Sequence, residues 1–360
     1  MACLGSGLYH AQIRVIGTGA LVEEIAENEI LSGTWNRLTN RTSKATLSLP
    51  LTGTLEDKCC RFLDLGKGIP AYELYLWRDV PGVDPALAWK GPLTDREVQP
   101  GNVVNLVAQD MSWWLTKRFI GTQSYVGQDV NYIAYQMATY GYGLNNPGGV
   151  VVSYENSGII GEKTPSQEDG SKVLPQITDV IRGVSYWTCV LNDFRIGANC
   201  SIPWTFTDDD IAEAPPLSWS ADNYSTEMFA RTSNTNFGSA GGIDSTRFGF
   251  PILVQDVIDA NAGNVTDANA FAVKSLANRN TTGPVLGALN SAIVPSVEID
   301  IMSLIPGCKV KVNFEQYCEN IVRELYLTQC EVAWNPEDED IRIELSPTWG
   351  NSEDARVAAV

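Results

Sequence analysis

The residues best suited to do chemistry are two runs of carboxylates. TDDDIAE supplies Asp208, Asp209 and Asp210, and NPEDEDIRIE supplies Asp338 with four further acidic residues. Paired carboxylates hydrolyse glycosidic bonds, and carboxylate oxygens bind Ca²⁺. Neither run has the D-x-[DN]-x-[DN]-G spacing of an EF-hand loop, and Asp is a common turn residue. We therefore interpret both runs as solvated turns between strands, with a cell-wall hydrolase as the alternative.

Other catalytic residue types are sparse. The single histidine, His10, lies in a segment that alternates like a strand, and a Ser-His-Asp triad requires an imidazole beside its nucleophile. The sequence has no G-x-S-x-G, H-E-x-x-H or G-x-x-x-x-G-K-[ST] motif. It therefore predicts no catalytic, cofactor-binding or metal site, and we expect the protein not to be an enzyme.

The cysteines do not have the spacing of a structural zinc site. The chain has eight of them and no C-x-x-C pair. We expect most to be reduced and packed as small apolar groups. Cys189 and Cys200 bracket a predicted hairpin, so a bridge between these two stays open.

Ten tryptophans are many for a chain of 360 residues, and two of them are adjacent. In the strand predicted for residues 103–115, Trp113 and Trp114 face opposite sides. Tryptophan is enriched in subunit contacts, and exposed aromatic rings also bind sugars. We favour packing and subunit contacts, with a carbohydrate-binding surface as the alternative.

The net charge of −18 opposes stable binding to nucleic acid, because neutralising phosphates requires clustered Lys and Arg. The acidic excess promotes solubility or keeps DNA from adhering to the surface. No apolar run reaches the roughly 20 residues of a membrane span, and no secretory signal is visible. We therefore expect no membrane span and folding in a cytoplasm.

The elements that position these residues are mainly strands. Alternation predicts five or six strands within residues 1–115, including a pair around the turn at 40–43. Residues 116–203 mix short strands with helices, one of them predicted over 128–140 by apolar spacing. The chain then returns to strands and helices, and its last third alternates again. The sequence thus predicts two β units separated by an α/β insertion.

One predicted hairpin, YELYLWRDVPGVDPALAWKGPL, spans residues 72–93. Its alternation places Leu74, Leu76, Leu87 and Trp89 in a core. We expect the following Gly91-Pro92 pair to end strand pairing, because proline cannot donate to a ladder.

Several segments, taken in their order along the chain, resemble the minor tail proteins of long-tailed, siphovirus-type bacteriophages. The similar motifs are W-x-R-x-x-N-x-x-S-x-A, the hairpin E-L-x-x-x-R-D followed by W-x-G-P-[IL], A-x-D-x-x-x-W-L-x-x-R, and L-x-P-G-x-x-V-x-V. The matching residues that we single out are Trp35, Arg37, Asn40, Glu73, Arg78, Asp79, Trp89, Gly91, Pro92, Asp110, Trp114, Pro306 and Gly307.

The resemblance covers most of residues 8–347 and implies a tail-tip, or baseplate, hub. It implies an α+β, mainly β fold with two tail-tube-like β-barrel domains, an inserted α/β region and short helices. The implied units are a first tube-like domain at 1–115 completed by 204–250, an inserted domain at 116–203, a helical connector at 251–295, a second tube-like domain at 296–347 and a flexible tail at 348–360.

The same resemblance implies a structural virion protein that forms a homotrimer at the distal end of the tail tube. Its implied partners are further copies of itself, the distal tail ring protein, other tail-tip proteins and the tape-measure protein. DNA would pass only transiently through an acidic channel during ejection, and assembly would occur in the host bacterial cytoplasm. A hexameric distal tail ring protein is the nearest alternative.

Overall fold

We describe the fold from a computed structural model. The residues that it describes are 7–51, 68–81, 83–121, 123–143, 146, 148–165, 172–197, 200–213, 217–218, 227–231, 237–241, 254–257, 265–279, 285–286, 289–294, 300–316 and 319–346.

The strands of these residues are β1 (Leu8–Val15), β2 (Leu21–Ile25), β3 (Ser32–Leu38), β4 (Lys44–Pro50), β5 (Tyr72–Val80), β6 (Val83–Gln99), β7 (Val103–Gln109), β8 (Tyr125–Asp129), β9 (Val151–Tyr154), β10 (Ile160–Lys163), β11 (Trp187–Val190), β12 (Asp193–Ile196), β13 (Ser201–Thr207), β14 (Leu217–Ser218), β15 (Glu227–Arg231), β16 (Phe237–Gly241), β17 (Val254–Val257), β18 (Val285–Leu286), β19 (Leu289–Ala292), β20 (Lys309–Gln316), β21 (Glu319–Trp334) and β22 (Glu339–Ser346). The helices are α1 (Trp113–Lys117), α2 (Val130–Gly143), α3 (Val173–Val180) and α4 (Val265–Arg279), with 3₁₀ turns at Glu27–Glu29 and Ile301–Ser303.

Most of the strands belong to one large sheet. Twelve strands lie in the order β13-β20-β21-β3-β4-β7-β6-β5-β1-β2, with β22 beside β21 and β19 beside β22. Paired neighbours run antiparallel except β13 and β20. Strands account for 54% of the structure and helices for 18%, which confirms the predicted α+β, mainly β class.

The two ends of the chain share this sheet and its core. Trp35 of β3 lies opposite Val332 of β21, and one buried cluster contains Leu47 of β4, Phe206 of β13 and Leu345 of β22. We call the large sheet with this cluster the sheet lobe. The division into two tube-like barrels and the unit boundaries stay predictions.

A second buried cluster gathers the four helices of the described residues and three of the small sheets, and we call it the mixed lobe. It contains Leu115 of α1, Met137 of α2, Ile177 of α3, Phe194 of β12 and Ala272 of α4. The helix predicted over 128–140 is confirmed as α2, because its apolar residues at helical spacing all face this cluster.

The predicted strand over 103–115 is wrong beyond Gln109. The Asp110 side chain accepts the N–H of Ser112 at 2.8 Å, and its carbonyl accepts the N–H of Trp113 at 3.0 Å. This turn starts α1, so Trp113 and Trp114 lie on one helix with their rings edge to face and 4.9 Å between centroids.

The expectation that Gly91-Pro92 ends strand pairing is also wrong. Strand β6 continues through both residues and changes its neighbour there: Gly91 lies opposite Leu74 of β5, and Leu93 lies opposite Ala108 of β7. A Cβ on Gly91 would lie 1.9 Å from the carbonyl oxygen of Gln109. Glycine is therefore required where the strand passes from one set of partners to the other.

Candidate functional site

A buried ion pair joins β5 to β22. Arg78 Nε and Nη2 donate to Glu339 Oε1 at 2.9 Å and Oε2 at 2.5 Å. The Tyr9 hydroxyl donates to Oε1 at 2.6 Å, and the Gly7 N–H donates to Oε2 at 2.8 Å. Both charged side chains are only 2% exposed, so these donors offset the loss of hydration. Burial and the Glu339 carboxylate raise the pKa of Tyr9, which keeps its hydroxyl a donor.

Sequence reasoning picked out Arg78 but missed Glu339, which lies in a run interpreted as a solvated turn. The alternation of inward-facing and outward-facing residues along β22 indicates that Glu339 is buried. Glu339 has the same parity as Ile343 and Leu345, whose side chains face the core of the sheet lobe. A charged residue at an inward position requires a buried partner.

Arg37 of β3 is buried among backbone carbonyls. Its Nη1 donates to the carbonyl oxygens of Ile301 at 3.3 Å and Leu304 at 3.2 Å, and its Nη2 donates to that of Ala88 at 2.8 Å. Its Cζ lies 4.9 Å from the ring centroid of Trp35. Burial lowers the pKa of Arg37. The guanidinium thus ties β3, β6 and the 3₁₀ turn at 301–303 together.

Two other hairpin residues hold neighbouring strands. The Trp89 indole Nε1 donates to the carbonyl oxygen of Asn36 at 3.2 Å, beside the Arg37 cluster. Asp79 and His10 form a contact of 2.8 Å between Oδ2 and Nδ1, across the pairing of β1 with β5. Trp89 and Asp79 therefore each have a structural partner, and neither contact includes a serine or cysteine nucleophile.

Glu73 sits in a buried polar group on the other face of β5. It accepts a hydrogen bond of 2.9 Å from the Tyr75 hydroxyl and lies 3.4 Å from Lys90 Nζ. The Lys90 ammonium also lies 4.9 Å from the Tyr75 ring centroid. Burial and the Glu73 carboxylate raise the pKa of Tyr75. Pro92 lies directly opposite Glu73 in the pairing of β5 with β6.

Asn40 connects the two lobes through reciprocal hydrogen bonds. Its N–H donates to the carbonyl oxygen of Trp187 at 2.9 Å, and its Oδ1 accepts the N–H of Trp187 at 3.0 Å. Asn40 has a φ of 55°, a left-handed conformation that Asn tolerates better than most residues.

The Pro306-Gly307 pair forms a second contact between the lobes. Gly307 donates its N–H to the carbonyl oxygen of Leu327 at 2.6 Å and has a φ of 94°. A Cβ on it would lie 1.9 Å from Cε2 of Tyr186. Pro306 is buried beside it. The Tyr186 ring of the mixed lobe therefore requires a glycine at this position.

Asp110 and Trp114 lie where the chain passes from the sheet lobe into the mixed lobe. Asp110 accepts the N–H of Ser43 at 2.6 Å and the hydroxyl of Ser112 at 2.5 Å. Burial raises the pKa of Asp110 to about 6, although these hydrogen bonds oppose the shift. Trp114 packs against the buried cluster of the mixed lobe.

Asp208, Asp209, Asp210 and Asp338 lie in turns, as predicted, whereas Glu339, Asp340 and Glu344 of the second run belong to β22 and correct that prediction. Asp210 accepts the N–H of Thr207 at 2.7 Å, and Asp208 accepts the N–H of Glu315 at 2.5 Å. Asp338 belongs to the turn between β21 and β22. Within the part of the chain that the structure describes, no three metal-binding side chains converge.

A disulfide joins Cys200 to Cys308, so the bridge left open between Cys189 and Cys200 is wrong. The parallel pairing of β13 with β20 brings the starts of these strands together, and the two Cα atoms lie 4.7 Å apart. Cys189 and Cys330 are free and buried, as expected. The remaining four cysteines lie outside the described residues. No spacing signal marked this pair, because 108 positions separate it in the sequence.

The structure thus brings Trp35, Arg37 and Trp89 into one cluster and places Asn40, Asp110 and Gly307 at contacts between the lobes. These residues bind backbone groups and one another, so the arrangement they form is architectural. Among the described residues, no helix is long and apolar enough to cross a membrane.

Comparison with known proteins identifies the fold. No protein-family model matches the sequence, and no curated protein is significantly similar to it. The tail protein from Neisseria meningitidis MC58 superposes with a TM-score of 0.60 at 13% identity, covering 94% of this chain and 96% of that chain. The 43 kDa tail protein of prophage MuSo2 from Shewanella oneidensis has a TM-score of 0.58 at 9% identity, covering 94% and 98%.

A third structure agrees with these two. Prophage tail protein gp18 from Listeria monocytogenes EGD-e has a TM-score of 0.56 at 10% identity, covering 97% of this chain and 98% of that chain. The resemblance drawn from the sequence motifs is therefore confirmed at the level of the fold. The chain has the fold of these phage tail proteins.

Proposed function

We propose that the chain is a structural protein of a phage tail and that three copies form the hub at the distal end of the tail tube. The observation that carries this proposal is the fold, shared with three phage tail proteins over 94% to 97% of this chain. The trimeric, distal position comes from the motif resemblance, whose matching residues form the contacts described above, most of them buried.

The large sheet supports a role in assembly. The strand at one end of this sheet, β13, has β20 as its single neighbouring strand among the described residues. An unpaired edge presents a row of free N–H and C=O groups to a neighbouring chain. In a ring of subunits, the N–H and C=O groups at such an edge can form hydrogen bonds with the neighbouring subunit.

In this proposal the hub joins the tail tube and the distal tail ring protein to other tail-tip proteins. The tape-measure protein and then DNA pass through its channel. The net charge of −18 supports transient passage of DNA, because an acidic surface does not retain phosphates. The protein would be assembled in the host bacterial cytoplasm and carried in the virion. Its role requires no catalysis and no cofactor.

Native mass spectrometry of the purified chain, followed by two-dimensional classification of electron micrographs, tests the proposal. We expect the mass of three chains and three-fold symmetric rings. Six copies with six-fold symmetry would support a distal tail ring protein instead. A chain that remains monomeric at every concentration, alone and with the distal tail ring protein, would contradict both assignments.

A further inference from the structure

Two lysines and two aromatic rings form a surface patch at the end of α1, and we call these four residues the basic–aromatic patch. Lys117 Nζ lies 5.2 Å from the ring centroid of Trp113, and Lys172 Nζ lies 3.8 Å from that of Phe119. A backbone bridge joins Phe119 to Lys172, and Phe119 follows Lys117 by two residues in the chain. The Phe119 side chain is 58% exposed although it is apolar.

The lysines of the patch differ from two other cations, Lys163 and Arg182. Lys163 and Arg182 both form ion pairs with Asp179. Neither Lys117 nor Lys172 contacts a carboxylate within the part of the chain that the structure describes. In a chain with 43 acidic and 25 basic residues, two lysines that lie on aromatic rings instead of carboxylates are available to an anionic partner.

The turn between β21 and β22 offers matching charges on the same chain. Asn335 Oδ1 accepts the N–H groups of Glu337 at 2.8 Å and Asp338 at 3.0 Å, and its own N–H donates to the carbonyl oxygen of Asp338 at 2.9 Å. Both acidic residues are exposed. The hydrogen bonds fix the turn before any contact, which lowers the entropy lost on binding.

We propose that the basic–aromatic patch of one copy binds the Glu337–Asp338 turn of a second copy. The contact joins two different surfaces, so repetition generates a closed ring when the rotation allows it. This inference rests on the proposed function, in which copies of the chain assemble, and it names one surface through which they bind. We choose a second copy as the partner because its exposed Glu337 and Asp338 match the two lysines of the patch in number and sign, whereas an extended polyanion would face the acidic excess of the chain along its whole length.

Charge reversal tests the pairing in the full chain. The variant K117E/K172E should weaken self-association at least ~100-fold in sedimentation velocity, because like charges then face each other. The matched control K44E changes an exposed lysine of β4 and should leave self-association unchanged. Adding E337K/D338K to K117E/K172E should restore the assembly, since the pairing is then inverted.

The outcomes separate this inference from the proposed function. A wild-type trimer that K117E/K172E leaves intact would overturn the inference and leave the trimer standing. If K117E/K172E dissociates the trimer and E337K/D338K does not restore it, the Glu337–Asp338 turn is not the partner of the patch, and the inference is overturned. Wild-type binding to phosphatidylglycerol vesicles, lost in K117E/K172E while the trimer persists, would assign the patch to a membrane surface and also overturn it. A monomeric wild type would contradict the proposed function itself.

Discussion

Replacing Glu339 with glutamine should destabilise the sheet lobe strongly. The substitution keeps the side chain's size but removes the charge that compensates Arg78, and both side chains are 2% exposed. The new amide group also places a donor where Gly7 and Arg78 now donate. Breaking a buried ion pair from one side costs roughly 3–5 kcal/mol, because the remaining charge stays buried without its partner.

Urea denaturation followed by tryptophan fluorescence measures this loss. Trp334 is a built-in reporter, since its ring stacks on that of Tyr9 at 4.2 Å between centroids. Asp340→Asn is the matched control in the same strand, because Asp340 pairs with Arg342 on the exposed surface and surface pairs contribute little. The double variant R78M/E339M should recover much of the loss, since it leaves no unpaired charge. If E339Q shifted the midpoint no more than D340N, the buried pair would not hold the lobe together.

Three further perturbations follow from the contacts between the lobes. Because the folded-state pKa of Asp110 is raised to about 6, its contribution to stability is present below the unfolded pKa of about 3.9 and is lost as the pH rises through 6. The difference in free energy of unfolding between wild type and D110N should therefore change by roughly 2 kcal/mol between pH 4 and 7.5 in urea titrations, and a flat difference would refute the shift. Gly307→Ala should destabilise by at least ~2 kcal/mol more than Gly17→Ala in thermal unfolding, because both have positive φ but only the first places a Cβ against Tyr186; equal effects would argue against that contact. Asn40→Ala removes the side-chain acceptor of the Trp187 N–H and keeps the backbone bond from residue 40 to the Trp187 carbonyl oxygen. It should lower the opening free energy of the Trp187 amide by roughly 1–2 kcal/mol in hydrogen exchange, whereas unchanged protection of that amide would refute the link.

Local patterns predicted the strands well because alternation is a property of neighbouring residues. The pair β3 and β4 appears where the turn at 40–43 interrupts alternation, and Leu74, Leu76 and Trp89 are buried, as predicted. Leu87 was predicted in the same core but is only half-buried, because the register of β5 with β6 shifts between Leu76 and Trp77. The helix α1 was not predicted because its start depends on the hydrogen bonds of a single side chain, that of Asp110. Asp110 accepts the N–H of Ser112 and turns the chain before Trp113, and hydrophobic periodicity contains no record of that bond.

Long-range partners could not be predicted from the sequence. Arg78 and Glu339 are 261 positions apart, and the sequence around either residue does not indicate that the other is its partner. Alternation indicates which charged residues face inward, as it does for Glu339, but only the order of strands in the sheet determines which inward charges meet. The same limit explains the Cys200–Cys308 disulfide, whose two strands become neighbours through a parallel pairing.

Electron cryomicroscopy of assembled tails that carry a tag on this chain tests the central claim most directly. We expect three copies of the chain at the distal end of the tail tube, surrounding a channel that continues the tube's lumen. Tagged density along the tube, in a six-fold ring above the tip or on peripheral fibres would contradict it.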